Sequence, residues 1–343
     1  MRRCSVCVLP ENFPGITIDQ DGVCSLCRDF TARHPPAPSA RLTDTLWSLL
    51  ADAKARNHRY DAVVAFSGGK DSSYLLHLLA SRFGLRLLAV TFDNGFVSSA
   101  CFANMRNVVS ALAVDHIVVR HRQDHMNAIF LESALSRVFP DHLTRFGSGV
   151  CIACIRIVIT TMLRIAIEKN VPMVMLGNTP GQVLTSDEEL IFKDNVIPLP
   201  LRRQLFARLA ERTGPWAYDY LTLSAVEYKT RPFPWIVSPL PIVGYDENEI
   251  YRVLPDLGWS KPTDVDPSST NCRLNAFGII RHKNLYRFHP YDYEMSQLVR
   301  LGVLTREAAL DKLNDHDDTV VDVASAVERD LMCRSCSRCG PGA

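Results

Sequence analysis

The chain has 343 residues, a formal net charge of +1 and 47% hydrophobic residues, which suits one substantial α/β domain with smaller modules. So balanced a charge gives no global attraction to nucleic acid or to a membrane surface. No uninterrupted apolar stretch is expected to span a bilayer, because the nearest, Ile155 to Ile167, is broken by Arg156 and Arg164. Arg2 and Arg3 have no apolar run behind them, so no secretory signal is expected and the expected location is cytoplasmic.

Eleven cysteines, an odd number grouped in CxxC pairs, fit metal or redox chemistry in a reducing compartment better than a disulfide framework. The first pair, Cys4 and Cys7, is followed after sixteen intervening residues by Cys24 and Cys27, the spacing of a tetrahedral Cys4 zinc site. Pro14-Gly15 and Asp21-Gly22 supply turns that fold the connection back. Residues 1–30 are too few to bury a core, so a metal is expected to hold this zinc-ribbon-like knuckle together, in a structural role because four protein ligands leave no open position. Residues 31–40, with Pro35, Pro36 and Pro38, read as a semi-rigid linker, and Leu42 to Ala55 as an amphipathic helix.

From Tyr60 the pattern alternates. Strands are expected at Ala62 to Phe66, Leu85 to Phe92, His116 to Val119 and Val171 to Leu176, and helices near 72–83, 98–113, 123–139 and 152–170. This alternation predicts a doubly wound α/β fold with a parallel sheet, in a domain over 41–200. At the first strand-to-helix junction stands Ser67-Gly68-Gly69-Lys70-Asp71-Ser72-Ser73. Adjacent glycines let backbone N–H groups approach phosphate oxygens, the helix dipole points at them, and Lys70 adds a charge. The spacing is not that of a Walker A loop.

This loop resembles the signature of the PP-loop (HUP-like) ATP pyrophosphatases, which cleave ATP between the α- and β-phosphates. The resemblance implies ATP and Mg²⁺ over Phe66 to Ser73, with Lys70 and the loop N–H groups neutralising pyrophosphate and Asp71 orienting the loop or the metal. It also implies nucleotide contacts at Thr91-Phe92-Asp93-Asn94 after the second strand and at Gly177-Asn178-Thr179 after the fourth. Without that loop, Asp93-Asn94-Gly95 would read as an ordinary turn.

Cys151 and Cys154 open the helix before the fourth strand, where a helix N-terminus is expected to lower thiol pKa values. Cys272 stands alone far downstream, after a segment from Ile236 that reads as strand or extended chain and a helix capped by Asp246. Three cysteines so arranged leave three readings open: a metal cluster, a redox dithiol or unreactive thiols. They resemble the three-ligand [4Fe-4S] site of PP-loop tRNA thiolation enzymes, which implies an open iron that binds sulfide. Those enzymes typically have Gly-His and paired acids after the fourth strand, where this chain has Gly177 to Gln182, so tRNA is less expected than a small-molecule acceptor.

In the mainly helical region 201–343, Tyr291 to Leu301 and Thr305 to Leu313 read as core-facing helices. Arg281, His282, Lys283 and Arg287 read as a solvated face or a phosphate or RNA contact. Cys333, Cys336 and Cys339 in the tail carry no decided role.

A second resemblance is to N-acetyl sugar amidotransferases of surface-polysaccharide pathways. It lies in Cys7-Val8-Leu9-Pro10, Pro14 to Asp19, Asp21 to Arg28, the Ser67 loop, Thr91 to Asn94, Leu257-Gly258-Trp259 and Leu298 to Ala309. It implies a nucleotide-activated sugar as substrate and ammonia from a glutaminase partner. Three functions are therefore carried forward. The first is adenylation of a substrate oxygen, then displacement of AMP by sulfur through Cys151, Cys154 and Cys272, which needs a sulfur donor. The second is amidation, and the third a nucleotide-binding protein without turnover. A homodimer is compatible with each.

Overall fold

The computed structural model describes residues 2–33, 40–183, 187–266, 269–313 and 318–335. Six strands form one sheet: β1 Ala62–Ala65, β2 Leu87–Asp93, β3 Asp115–Arg120, β4 Met173–Met175, β5 Ile191–Phe192 and β6 Trp235–Val237, in the order β3-β2-β1-β4-β6-β5. All neighbours are parallel except β5 with β6. The four strands expected from sequence are present, while β5 is an unforeseen antiparallel edge and β6 uses part of the segment read as strand or extended chain. The sheet thus takes a strand from beyond residue 200.

The central strands are apolar on both sides because both faces are covered. Side chains alternate along a strand: Ala62, Val64, Leu87 and Ala89 join a core with Leu46, Leu50, Leu75, Leu79 and Met105. Val63, Leu88 and Val90 face the other way, onto Met162, Leu163 and Ala166. The helices Ala40–Ala55, Lys70–His77 and Ser99–Leu112 supply the first layer, and Gly149–Glu168 the second. Since β1 has β2 on one side and β4 on the other, the chain reverses its order at β1. The loop leaving β1 therefore opens into a crevice at the carboxyl ends of the strands.

Gly149–Glu168 is long and apolar enough to cross a bilayer by length and composition, which the sequence reading did not anticipate, but half of that span is buried inside the fold. Arg156 lies on its inner face, where both guanidinium nitrogens hold the buried Asp194 carboxylate at 2.8 Å and Arg202 adds a third bond at 2.7 Å. Burial alone would raise the Asp194 pKa, yet these two cations hold it below the usual carboxylate range. The clamp fixes the helix one turn beyond Cys151 and Cys154. The helix Leu274–Tyr286 packs against Gly149–Glu168 and against Gln123–Leu135, which brings Cys272, just before its first turn, to the same end.

The N-terminal segment docks on the C-terminal helices. Arg3 Nη1 meets the buried Asp292 Oδ1 at 2.7 Å, Arg306 donates to the carbonyls of Cys4 and Cys7, and Phe13 packs edge-on to Phe288. The Arg281 guanidinium is paired with Glu328 and His282 is buried, so these two members of the basic cluster do not form a free cationic face. Pro35, Pro36, Pro38, Cys336 and Cys339 lie outside the described residues.

Candidate functional site

The turn after β1 is built by its own backbone. Gly68 has φ +72°, and a Cβ there would come within 2.9 Å of both the Cys101 carbonyl oxygen and Met105 Cγ. Gly69 admits Thr270, whose Oγ1 would lie 2.9 Å from an added Cβ. The Ser72 hydroxyl accepts from the Ser67 N–H at 3.2 Å, and Trp259 Nε1 donates to the Gly68 carbonyl at 2.9 Å. Gly68→Ala is expected to destabilise the fold by about 1–2 kcal/mol, because an L side chain is strained at this φ. Thermal denaturation checks it, and an unchanged melting temperature would show that the left-handed turn is dispensable.

Lys70 is drawn into a polar knot. Its Nζ lies 2.6 Å from Asp71 Oδ1, 2.8 Å from the Tyr245 hydroxyl and 3.4 Å from Glu247 Oε1. Tyr245 also donates to Asp71 at 2.9 Å, and Lys312 approaches Glu247 at 3.3 Å. Burial works against the Lys70 charge, but Asp71 and Tyr245 outweigh it and raise the pKa above its ordinary value. The ammonium is therefore charged throughout the neutral range, and Lys70 lines the crevice.

A cleft of about 350 Å³ runs from this knot to the thiols. Ser67, Lys70, Asp71, Phe92, Asn94 and Thr179 line it together with Cys151, Cys154 and Cys272. The chain segment Ser269–Cys272 forms a shared wall. The Lys70 N–H donates to Thr270 Oγ1 at 3.2 Å, the Ser98 N–H to the Asn271 carbonyl at 2.9 Å, and Val97 pairs with Cys272 in a short antiparallel bridge. One residue, Asn271, thus separates a contact on the glycine loop from a cleft cysteine.

The other expected contacts hold the loops in place. Phe66 is buried, Thr91 donates to the Phe66 carbonyl, Asp93 is held by Arg120, and Asn178 donates to Ser238 at 3.0 Å. Ser73 is buried behind the loop. These five, with the backbone positions Gly68, Gly69, Ser72 and Gly177, stand outside the cleft lining.

At the far end the Asn94 amide donates to Cys272 Sγ at 3.3 Å and approaches Cys154 Sγ at 3.8 Å, while Cys151 lies 3.6 Å from Asn275 Oδ1. Sequence reasoning expected lowered thiol pKa values at this helix start. The opposite holds: burial pushes Cys151 up to about 12 and raises Cys154 and Cys272 as well. Loss of water outweighs the helix dipole here, so an electropositive ligand is what would make these sulfurs thiolates. Among the described residues, the only group of three or more ligand atoms within 4.8 Å of one another is Cys4, Cys7, Cys24 and Cys27. The three cleft thiols do not form such a group.

The N-terminal four have the opposite geometry. Cys4 and Cys27 sulfurs are 3.9 Å apart, and those of Cys7 and Cys24 3.8 Å. A tetrahedral ion with bonds of about 2.3 Å to sulfur requires about 3.8 Å between sulfurs. The group is buried and fits a single metal ion.

Several cleft residues escaped sequence reasoning: Tyr245, Glu247, Thr270, Asn275, Tyr291 and Glu294. Tyr291 donates to Asn275 at 2.8 Å. The helix Asp292–Arg300 does bury Met295 and Leu298 as its apolar spacing predicts, yet it also turns Glu294 into the cleft. Periodicity reports which face is buried and is silent about polar residues beside that face.

No family model matches the chain. It is 26% identical over 313 residues to an uncharacterised protein of Methanocaldococcus jannaschii, covering 91% of this chain and 92% of that one. Among solved structures it is similar to the U34-tRNA thiolase NcsA from Methanococcus maripaludis with its [4Fe-4S] cluster, at 14% identity over 99% and 92% of the two chains, with a TM-score of 0.36. It is also similar to NMN synthetase from Francisella tularensis, at 12% identity over 90% and 100%, with a TM-score of 0.34. A third likeness is to the NH3-dependent NAD synthetase from Campylobacter jejuni, at 13% identity over 41% and 57%, with a TM-score of 0.30.

Proposed function

We propose that this chain is an ATP-dependent enzyme that adenylates an oxygen of a small-molecule acceptor, releasing pyrophosphate, and replaces AMP with sulfur. The observation that carries this reading is the single cleft lined at one end by the Ser67 loop and at the other by Cys151, Cys154 and Cys272. Ammonia transfer has no use for the second end.

The Ser67 loop N–H groups and the Lys70 ammonium would bind the β- and γ-phosphates and neutralise pyrophosphate as it leaves. Asp71 would orient magnesium beside them. Asn94, Thr179 and Phe92 line the path from this end to the thiols. Cys151, Cys154 and Cys272 would hold a [4Fe-4S] cluster, which when bound supplies an open coordination position for sulfur delivery. Asn94 would then orient two of the ligating sulfurs through its amide. Cys4, Cys7, Cys24 and Cys27 would hold zinc in a structural role.

Protein purified without oxygen is expected to be brown, with about four irons and about one zinc per chain. Alanine at Cys151, Cys154 or Cys272 should remove the iron and leave the zinc. Colourless, iron-free protein with full pyrophosphate release and product formation would sink the sulfur reading. If ammonium alone then supports turnover and Cys151→Ala is silent, amidation takes its place.

A further inference from the structure

The two edges of the sheet are built differently. β5 is two residues long, too short to template another strand. β3 is six residues long and has β2 as its one neighbour in the sheet. Among the described residues, no hydrogen bond from outside that ladder reaches the β3 backbone, so every second residue turns an N–H and a C=O outward. Native edges are commonly protected by a central charge, a proline or a bulge. Here the register with β2 is unbroken from Asp115 to Arg120, the charges stand at the two ends, and the middle is Ile117-Val118-Val119. Ile117 and Val119 pack on the Met162 side of the sheet. His116 turns in the other way, its Nε2 2.8 Å from Thr91 Oγ1, and Val118 is left 48% exposed.

We infer that β3 pairs antiparallel with β3 of a second copy of this chain, about a two-fold axis that crosses the sheet at Val118. An axis perpendicular to the sheet keeps each face on its own side, so an even-numbered and an odd-numbered residue cannot oppose each other and the axis must pass through a residue. At Ile117 it would set Asp115 against Val119 and His116 against Val118. At Val119 it would set Val118 against Arg120. At Val118 like meets like: Val118 opposes its own copy, Ile117 opposes Val119, and His116 opposes Arg120, so the apolar pairs stabilise the contact. Burial holds the His116 pKa below its usual value, so the imidazole facing Arg120 is uncharged at neutral pH. The ends match as well. An Arg59–Asp115 pair at 3.2 Å flanks one end of the strand and an Arg122–Asp124 pair at 2.7 Å the other. The two-fold brings one pair to the other, Arg122 toward Asp115 and Asp124 toward Arg59. This match of the strand to itself selects a second copy over an unrelated strand. The pairing is closed, and the joined sheet ends on both sides in the short β5.

No residue of β3 lines the cleft, so the pairing stands or falls separately from the proposed reaction. The full chain should run at twice the chain mass in size-exclusion chromatography with multi-angle light scattering. Val118→Asp opposes two carboxylates on the axis and should raise the dimer dissociation constant at least about tenfold, with an unchanged far-UV circular dichroism spectrum. Val118→Cys should give a covalent dimer under mild oxidation, because directly opposed Cβ atoms lie about 5 Å apart, in at least about tenfold higher yield than wild type or Arg120→Cys. A monomeric wild type, an open series of larger assemblies, a dimer indifferent to Val118→Asp, or equal cross-linking by Arg120→Cys would overturn the inference. If Val118→Asp fails to fold, cross-linking of Val118→Cys decides.

Discussion

Methionine in place of Lys70 is expected to cut ATP-dependent pyrophosphate release by about 10²–10³-fold, with iron and zinc contents unchanged. The side chain length is nearly kept, so packing against Tyr245 survives, and the Asp71 carboxylate retains the Tyr245 hydroxyl at 2.9 Å. What disappears is the one charge that the cleft can direct at leaving pyrophosphate from the loop itself. The raised Lys70 pKa fixes the sign of any pH effect. A cation whose folded pKa lies above its unfolded value contributes its full stabilisation below about pH 10 and loses it only as the pH climbs through the folded value. The wild-type rate should therefore show no titration of Lys70 near neutrality, and the variant should be slow at every pH from 6 to 9. A coupled pyrophosphate assay across that range is the measurement, and a variant within about threefold of wild type would remove Lys70 from the proposed chemistry.

Loss of the ion proposed at Cys4, Cys7, Cys24 and Cys27 should have the largest effect on stability. Structural zinc contributes on the order of 10 kcal/mol in isolated zinc-finger peptides, and the hydrophobic cluster around these cysteines contains few other large buried side chains, Leu9, Phe13 and Phe288 among them. Chelation, or Cys24→Ser, is expected to expose residues 2–33 to protease. It should also lower the melting temperature, since Asp292 loses Arg3, and an abandoned buried charge costs about 3–5 kcal/mol. The fragment pattern from limited proteolysis reads the first effect and differential scanning calorimetry the second. Protease resistance equal to the metal-loaded protein would mean that the segment stands on packing alone.

Much of this molecule was legible before its coordinates. Apolar runs gave β1, β2 and β4, because central strands covered on both faces are apolar throughout, a short apolar run gave the edge strand β3, and helical spacing gave the four intervening helices. The antiparallel edge strand was not legible, since Ile191–Phe192 is only two residues long, whereas Trp235–Val237 falls partly in a segment that reads as strand or extended chain. The glycine loop was readable because its chemistry is local, carried on consecutive residues. Tyr245, Thr270 and Glu294 were not, since each acquires meaning only from a partner more than a hundred residues away. The pKa direction at Cys151 was misread for the same reason. The helix start is visible in sequence, but the desolvating walls come from Asn275, Tyr291 and their neighbours.

The Ser269–Cys272 segment imposes a thermodynamic symmetry. Its threonine hydroxyl occupies the Lys70 N–H that a phosphate oxygen would claim, and its cysteine faces the thiol end. Any preference of the loaded loop for one position of that segment must appear, by linkage, as an equal preference of the loaded thiol end for the same position. In the proposed function, the factor by which ATP would tighten or loosen a cluster at Cys272 is then the factor by which that cluster would tighten or loosen ATP. Either affinity, measured with and without the other ligand, gives both.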